Sequence, residues 1–285
     1  MKSKCTRDDE ALRIELATCF PFLFDLLEKN AKSRNDTNNK SIQCVIDDTD
    51  CIQYAHNQMK KDKTKTTVFI HGYQESIKVT PTYQDIVPAY CSQNNSVIAI
   101  LDWTKLANSD LSLVSSQMTQ IGQIIASTFN SLNDKGYEVA KWHLIGHSMG
   151  AHIAGCIGTY SLDPAGVIFF TDLYEDCVMN PKVAHFTDAF YTDRGTHATV
   201  KNVGNLNIYA NFGTAPQPGC YSNNSSQIDV HECSHKKAMK WYADAVRNKT
   251  RYLATKCEDC LLHLRFKYCK DNDQIYLGPH VNTKK

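Results

Sequence analysis

Three things are scarce in this sequence: an excess of one charge, a long apolar run, and repetition. Lys and Arg number 31 against 30 Asp and Glu, so the formal net charge is only +1. Proteins that coat nucleic acid, or hold an anionic membrane through a polybasic face, carry a marked basic excess. Neither role is expected here. No stretch reaches the roughly 18 uninterrupted apolar residues that crossing a bilayer requires. The most apolar early run, Cys19 to Leu27, is broken by Pro21 and Asp25. The opening residues do not read as a secretory signal, because Asp8, Asp9 and Glu10 stand where an apolar core should begin. There is no internal repeat and no low-complexity tract, which argues against solenoid and disordered classes.

What the sequence does have is twelve cysteines. An even dozen in a chain of this size reads first as extracellular disulfides, ahead of reduced thiols or metal ligands. Six Asn-x-Ser/Thr sequons (Asn35, Asn39, Asn94, Asn223, Asn224 and Asn248) point the same way. A secreted protein is therefore expected. The polar stretch from Asn30 to Lys40 reads as a surface loop.

From Lys65 onward, buried-type strands alternate with helices. Thr66–Ile70, Ser96–Leu101 and Trp142–Ile145 are short β-branched or apolar runs. Between Leu111 and Leu132 the residues Val114, Met118, Ile121, Ile125, Phe129 and Leu132 recur at helical spacing. Small residues from Met149 to Gly158 predict a tightly packed helix. Further strands are expected near Val183–Thr192 and Leu206–Asn211, then a polar loop from Pro216 to Glu232. A helix carrying Ala238, Met239, Tyr242 and Val246 follows. This order predicts an α/β fold, a mainly parallel central sheet with helices on both faces. The chain is expected to form one domain over residues 1–285.

Gly146-His147-Ser148-Met149-Gly150 fits G-x-S-x-G. A nucleophilic serine has to project from a sharp strand-to-helix turn, where sterics exclude side chains two positions to either side. Here an apolar strand leads in and a small-residue helix leads out, the context of an α/β-hydrolase nucleophile. Ser148 is the expected nucleophile. Its base and acid should follow in the order acid, then histidine. His147 and His152 flank the turn and read as packing or hydrogen-bonding groups. Position favours His231 or His235 as the base, and Asp163, Asp172, Asp188 and Asp193 are the acid candidates. Asp163 stands directly after a short strand candidate, where α/β catalytic groups collect. An oxyanion hole needs two backbone N–H donors. Met149, next after the serine, supplies one, and the turn Phe69-Ile-His-Gly-Tyr73 offers Tyr73 for the other.

Taken together, these pieces resemble the pancreatic-lipase family of animal neutral lipases, which includes insect lipases and venom phospholipases A1. The matching segments are Val68–Tyr73, Leu101-Asp-Trp103, His143–His152, Leu162-Asp-Pro-Ala165, Asp188–Asp193, Asn205–Tyr209, Gln217–Cys220 and Cys233-Ser-His235. They end in the Cys257–Gly278 tail. The resemblance implies an α/β-hydrolase fold with a triad of Ser148, Asp163 and His235. Tyr73 and Met149 become the oxyanion donors, and Asp188 and Asp193 structural residues. It also implies a Cys220–Cys233 disulfide at the base of the lid, the loop that covers the site in true lipases.

Departures from the family refine the expectation. The residues between Cys220 and Cys233 run Tyr-Ser-Asn-Asn-Ser-Ser-Gln-Ile-Asp-Val-His-Glu, short and polar for a lid. Members with short lids resemble phospholipases A1, so this activity is expected ahead of triacylglycerol lipase. In contrast, the loop after Leu-Asp-Pro-Ala is not obviously shortened. The family's calcium-loop carboxylates do not map onto Phe169–Val183, and no metal or cofactor is expected. The substrate would be a phospholipid or acylglycerol at a lipid surface, with no nucleic acid partner and no second lipid-binding domain. Asp163 follows Ser148 more closely than is usual, which keeps open an inactive lipase-like binding or storage protein. Cys257, Cys260, His263 and Cys269 could also be spaced for zinc, although a disulfide knot is the commoner outcome.

Overall fold

A computed structural model describes residues 13–17, 41–59, 65–76, 82–93, 96–157, 160–162, 164–166, 178–222, 225–256 and 274–281. Asn30–Lys40, Asp163 and the cysteine-rich tail from Cys257 to Cys269, for which the sequence carries expectations, lie outside them.

The frame is an eight-stranded sheet in the order β2-β1-β4-β3-β5-β6-β7-β8. Its centre is made of the apolar runs seen in the sequence: β3 (Lys65–Ile70), β4 (Ser96–Asp102) and β5 (His143–His147). β3 lies parallel to both neighbours, with Ile70 opposite Leu101 on one side and Gly146 on the other. Strands covered on both faces need apolar residues at successive positions, and Val68, Phe69 and Ile70 are all fully buried. The parallel series continues through β6 (Tyr160–Leu162), β7 (Asp188–Tyr191) and β8 (Leu206–Tyr209).

Helices cover both faces. α1 (Thr49–Met59), α3 (Thr104–Ala107), α4 (Leu111–Asp134) and α5 (Met149–Gly155) pack on one side. α2 (Val87–Cys91) and α6 (Gln227–Arg247) pack on the other. The expected stripe on α4, from Val114 to Leu132, is buried throughout. Its start is fixed by Asp110, whose carboxylate accepts the Ser112 N–H at 2.9 Å. This is the α/β-hydrolase architecture. Two antiparallel strands, β1 (Arg13–Ala17) and β2 (Ser41–Val45), extend the sheet beyond β4. Cys44 and Cys51 then join β2 to α1 by a disulfide.

Two boundaries differ from the expectation. β7 is shorter than Val183–Thr192, because the Thr187 N–H and hydroxyl both turn to the Asn205 side chain, at 2.9 and 2.8 Å. α6 begins well before Glu232. The Ser226 hydroxyl accepts the Asp229 N–H at 3.1 Å, and the Asp229 carboxylate accepts the Ser226 N–H at 3.2 Å. That reciprocal cap starts the helix inside what composition alone reads as loop.

Asp188, at the start of β7, is buried, and burial pushes its carboxyl well above the usual carboxylate range. The folded chain therefore keeps a proton that the unfolded chain releases above about pH 4. Stability from this residue is greatest below the unfolded pKa and falls as pH rises toward the folded one. Asp188→Asn should remove that slope. Thermal melts of the two proteins are expected to converge near pH 4 and to separate, with the variant more stable, toward neutral pH.

Candidate active site

The loops after β3, β5, β6 and β7 leave the sheet at one end, where ligands collect in open α/β sheets. At the end of β5 the backbone turns sharply. Ser148 has φ 53° and ψ −121°, a conformation that few residues with side chains adopt. The flanking glycines are required by contact. A Cβ on Gly146 would lie 2.3 Å from the Gly150 carbonyl oxygen, and one on Gly150 would lie 2.3 Å from that of Ile70. The G-x-S-x-G spacing is thus the imprint of a helix laid directly across strand ends. Ser148 remains partly exposed, whereas Met149 behind it is buried.

The turn after β3 packs against this elbow. A Cβ on Gly72 would stand 2.9 Å from the Ser148 Cβ, so only glycine lets the two loops approach. Both sides of Gly72 are pinned. Its N–H donates to the Glu75 carboxylate at 2.8 Å, and its carbonyl accepts the His71 Nδ1–H at 3.0 Å. The Gly72 carbonyl and the Tyr73 N–H share one peptide plane, so fixing the first orients the second. His71 is held in turn by Trp103, whose N–H donates to Nε2 at 3.2 Å and whose indole donates to the His71 carbonyl at 2.8 Å. Asp102 lies alongside. Burial raises its pKa, but the His71 and Thr104 contacts outweigh this and hold it at about 2. The sequence segments His-Gly and Leu-Asp-Trp are therefore one physical unit that shapes the turn carrying Tyr73.

His235 sits on α6 with 7% of its surface exposed. Its ring centroid lies 4.5 Å from that of His147 and 5.1 Å from that of His197, nearly parallel to the latter. The structure thus brings the expected base beside the residue preceding Ser148. The Cys220–Cys233 disulfide is present, two residues before His235. Gln217 ties this region down further: its side-chain amide donates to the Thr192 and Ala210 carbonyls, each at 2.8 Å. His231, the other candidate, lies one turn earlier on the same helix. Its Nδ1 donates to Asp193 at 2.7 Å, while His197 donates to the other Asp193 oxygen at 2.6 Å. Burial raises the Asp193 pKa, but these imidazole contacts outweigh it and lower it overall. Asp193 is thus anchored between two histidines.

Residues 164–166 lie against the elbow and the loop after β7. The Ala165 N–H donates to the Ser148 carbonyl at 3.3 Å, and the Pro164 carbonyl accepts the Thr199 N–H at 2.8 Å. His152 Nε2–H donates to the Ala165 carbonyl at 2.9 Å, and its Nδ1 accepts the Met179 N–H at 3.3 Å. Burial lowers its pKa to about 4, so His152 is a neutral strut, as its position in the sequence suggests. Among the described residues, no group of three His, Cys, Asp or Glu is placed to hold a metal ion. Glu75 is the residue that sequence reasoning missed. An acid three places after a turn glycine carries no motif, and only the packing of the turn on the elbow buries it.

Comparison with known proteins gives a consistent answer. A family model described as "Lipase" matches residues 30–283. Zebrafish (Danio rerio) "Lipase member H" is 28% identical over 203 residues, covering 68% of this chain and 44% of the relative. Mouse (Mus musculus) "Pancreatic triacylglycerol lipase" is 27% identical over 251 residues, covering 77% and 52%. Human "Inactive pancreatic lipase-related protein 1" is 26% identical over 253 residues, covering 78% and 52%. The chain spans about half the length of the curated relatives it matches.

Proposed function

The chain belongs to the lipase family, and from that premise we propose that it is a secreted hydrolase of lipid carboxylic esters, of phospholipase A1 type. One observation carries the reading: a strained, partly exposed Ser148 against which the glycine turn of β3 is packed. In the proposed reaction, Ser148 Oγ attacks the acyl carbonyl and His235 takes its proton. Asp163 fixes the imidazole tautomer, and the Tyr73 and Met149 N–H groups hold the tetrahedral oxyanion. Collapse releases the alcohol, protonated by His235. Water then cleaves the acyl-serine by the same steps. The disulfides support an oxidising compartment.

The finer assignment rests on the segment between Cys220 and Cys233. Since α6 begins at Gln227, residues 227–232 of it already belong to the helix. Such a short cover leaves room for a polar head-group. The test is product analysis on phosphatidylcholine against trioleoylglycerol. Release of the sn-1 fatty acid with a 2-acyl lysophospholipid supports phospholipase A1. Turnover of the triglyceride alone favours triacylglycerol lipase.

The same segment carries the most exposed apolar side chains near the site, Ile228 at 75% and Tyr221 at 69%. With near-neutral net charge, attachment to a lipid surface must rest on such groups. The pair Tyr221→Asp and Ile228→Asp is expected to weaken sedimentation with neutral phosphatidylcholine vesicles about tenfold, on the order of 1.4 kcal/mol. Hydrolysis of a soluble short-chain ester should be unchanged.

An inactive lipase-like binding protein is the alternative. The tight spacing of Ser148 and Asp163 favours it, and an inactive relative exists. Failure of a folded chain to react with a fluorophosphonate would select it.

A further inference from the structure

Glu75 and His147 form a buried pair that the proposed reaction does not use. Glu75 is 6% exposed and His147 fully buried, with a carboxylate oxygen 2.7 Å from Nδ1. On its other side, His147 Nε2 faces the His235 backbone carbonyl at 3.4 Å. The two ring nitrogens therefore each lie against an oxygen from a separate element. Burial by itself would raise the Glu75 pKa. The charge and hydrogen bonding of His147 and the Gly72 N–H outweigh it and hold Glu75 at about 2, so the carboxylate is charged at neutral pH.

We propose that Glu75 and His147 are positioning residues of the ester hydrolase: they lock the turn carrying the Tyr73 oxyanion donor to the Ser148 elbow and to the helix carrying His235. The inference rests on the reading of Tyr73, Ser148 and His235 given above. Its physical content is a chain of contacts across three separate elements. Glu75 restrains the Gly72 N–H, which is one peptide before the Tyr73 N–H. It also binds His147, which immediately precedes Ser148, and His147 reaches the His235 backbone. A fourth restraint acts from the opposite side, where the Gln74 N–H donates to the Ala107 carbonyl at 3.0 Å while Gln74 adopts φ 55°. Oxyanion stabilisation depends steeply on where the donor points, and losing one donor lowers kcat by about 10²–10³. Loosening its support should cost part of that.

The test uses the full chain, a soluble p-nitrophenyl butyrate substrate, and active sites counted by fluorophosphonate labelling carried to its end-point. Glu75→Gln keeps the side-chain volume and an acceptor for the Gly72 N–H but removes the charge. It is expected to lower kcat per labelled site roughly ten- to hundredfold, with KM within about twofold. His147→Gln should do the same. The double variant should fall no further than the worse single one, since both act through one device. A merely structural pair would lower the melting temperature and the fraction of sites that label, leaving kcat per site unchanged. That result overturns the inference, as does a loss confined to KM. If Glu75→Gln does not fold, the His147→Gln comparison alone decides by the same criteria. A folded wild-type chain that neither turns over ester nor takes the label overturns the hydrolase reading, and this inference with it. Normal wild-type turnover with unaffected variants removes the inference alone.

Discussion

Ser148→Ala should reduce hydrolysis of any carboxylic ester by at least about 10⁴-fold while leaving the melting temperature within a few degrees. Losing the nucleophile of a Ser–His–acid triad removes nearly all of its catalysis, about 10⁶ in a well-studied protease. The remainder reflects binding and the oxyanion donors. The fold should tolerate the change, because alanine meets the same steric demand at φ 53° and the Ser148 side chain makes no hydrogen bond that caps α5. Rates on p-nitrophenyl butyrate, with circular dichroism melts of both proteins, check this. Residual turnover within tenfold of the wild type would assign the chemistry to another residue.

Gly150→Ala is expected to damage the fold itself. The new methyl would stand 2.3 Å from the Ile70 carbonyl oxygen and 2.4 Å from that of His71, both backbone atoms of a central strand and the turn after it. Neither can yield without shifting β3 against α5. Costs above about 4 kcal/mol arise from this kind of enforced movement in a packed interior. In a domain of this size that lowers the melting temperature by roughly 8–16 °C. Gly136→Ala is the control. Nothing lies within 4 Å of a Cβ there, so its cost is limited to the strain of φ 88°. A Gly150→Ala protein that melts with the wild type would show that elbow and strand are not in contact as described.

The parts of this molecule legible in the sequence are those whose cause is local. The helical repeat from Val114 to Leu132 follows from one face meeting the sheet, and the glycines around Ser148 follow from one turn. β1 was not legible: Arg-Ile-Glu-Leu-Ala offers a single alternating apolar pair, and its pairing with β2 and β4 is a long-range event. The start of α6 hides among polar residues because its first turn is solvent-exposed, so the capping pair Ser226 and Asp229 is its only marker. In the site, Ser148 and its glycines were readable from spacing. The choice between His231 and His235 was not. Both lie on one helix, and the contact that distinguishes their surroundings, His231 with Asp193, joins residues far apart in sequence. The partnership of Glu75 with His147 has the same character, since it joins the turn after one strand to the end of another.

The most direct measurement is the reaction of the native chain with a fluorophosphonate probe, followed by peptide mapping. The expected result is one covalent phosphonyl group per folded molecule, on Ser148, with labelling lost in Ser148→Ala and strongly slowed in His235→Ala. A cooperatively folded chain that stays unlabelled at Ser148, or that is labelled at another serine, would contradict the assignment of this elbow as the nucleophile of a lipid esterase.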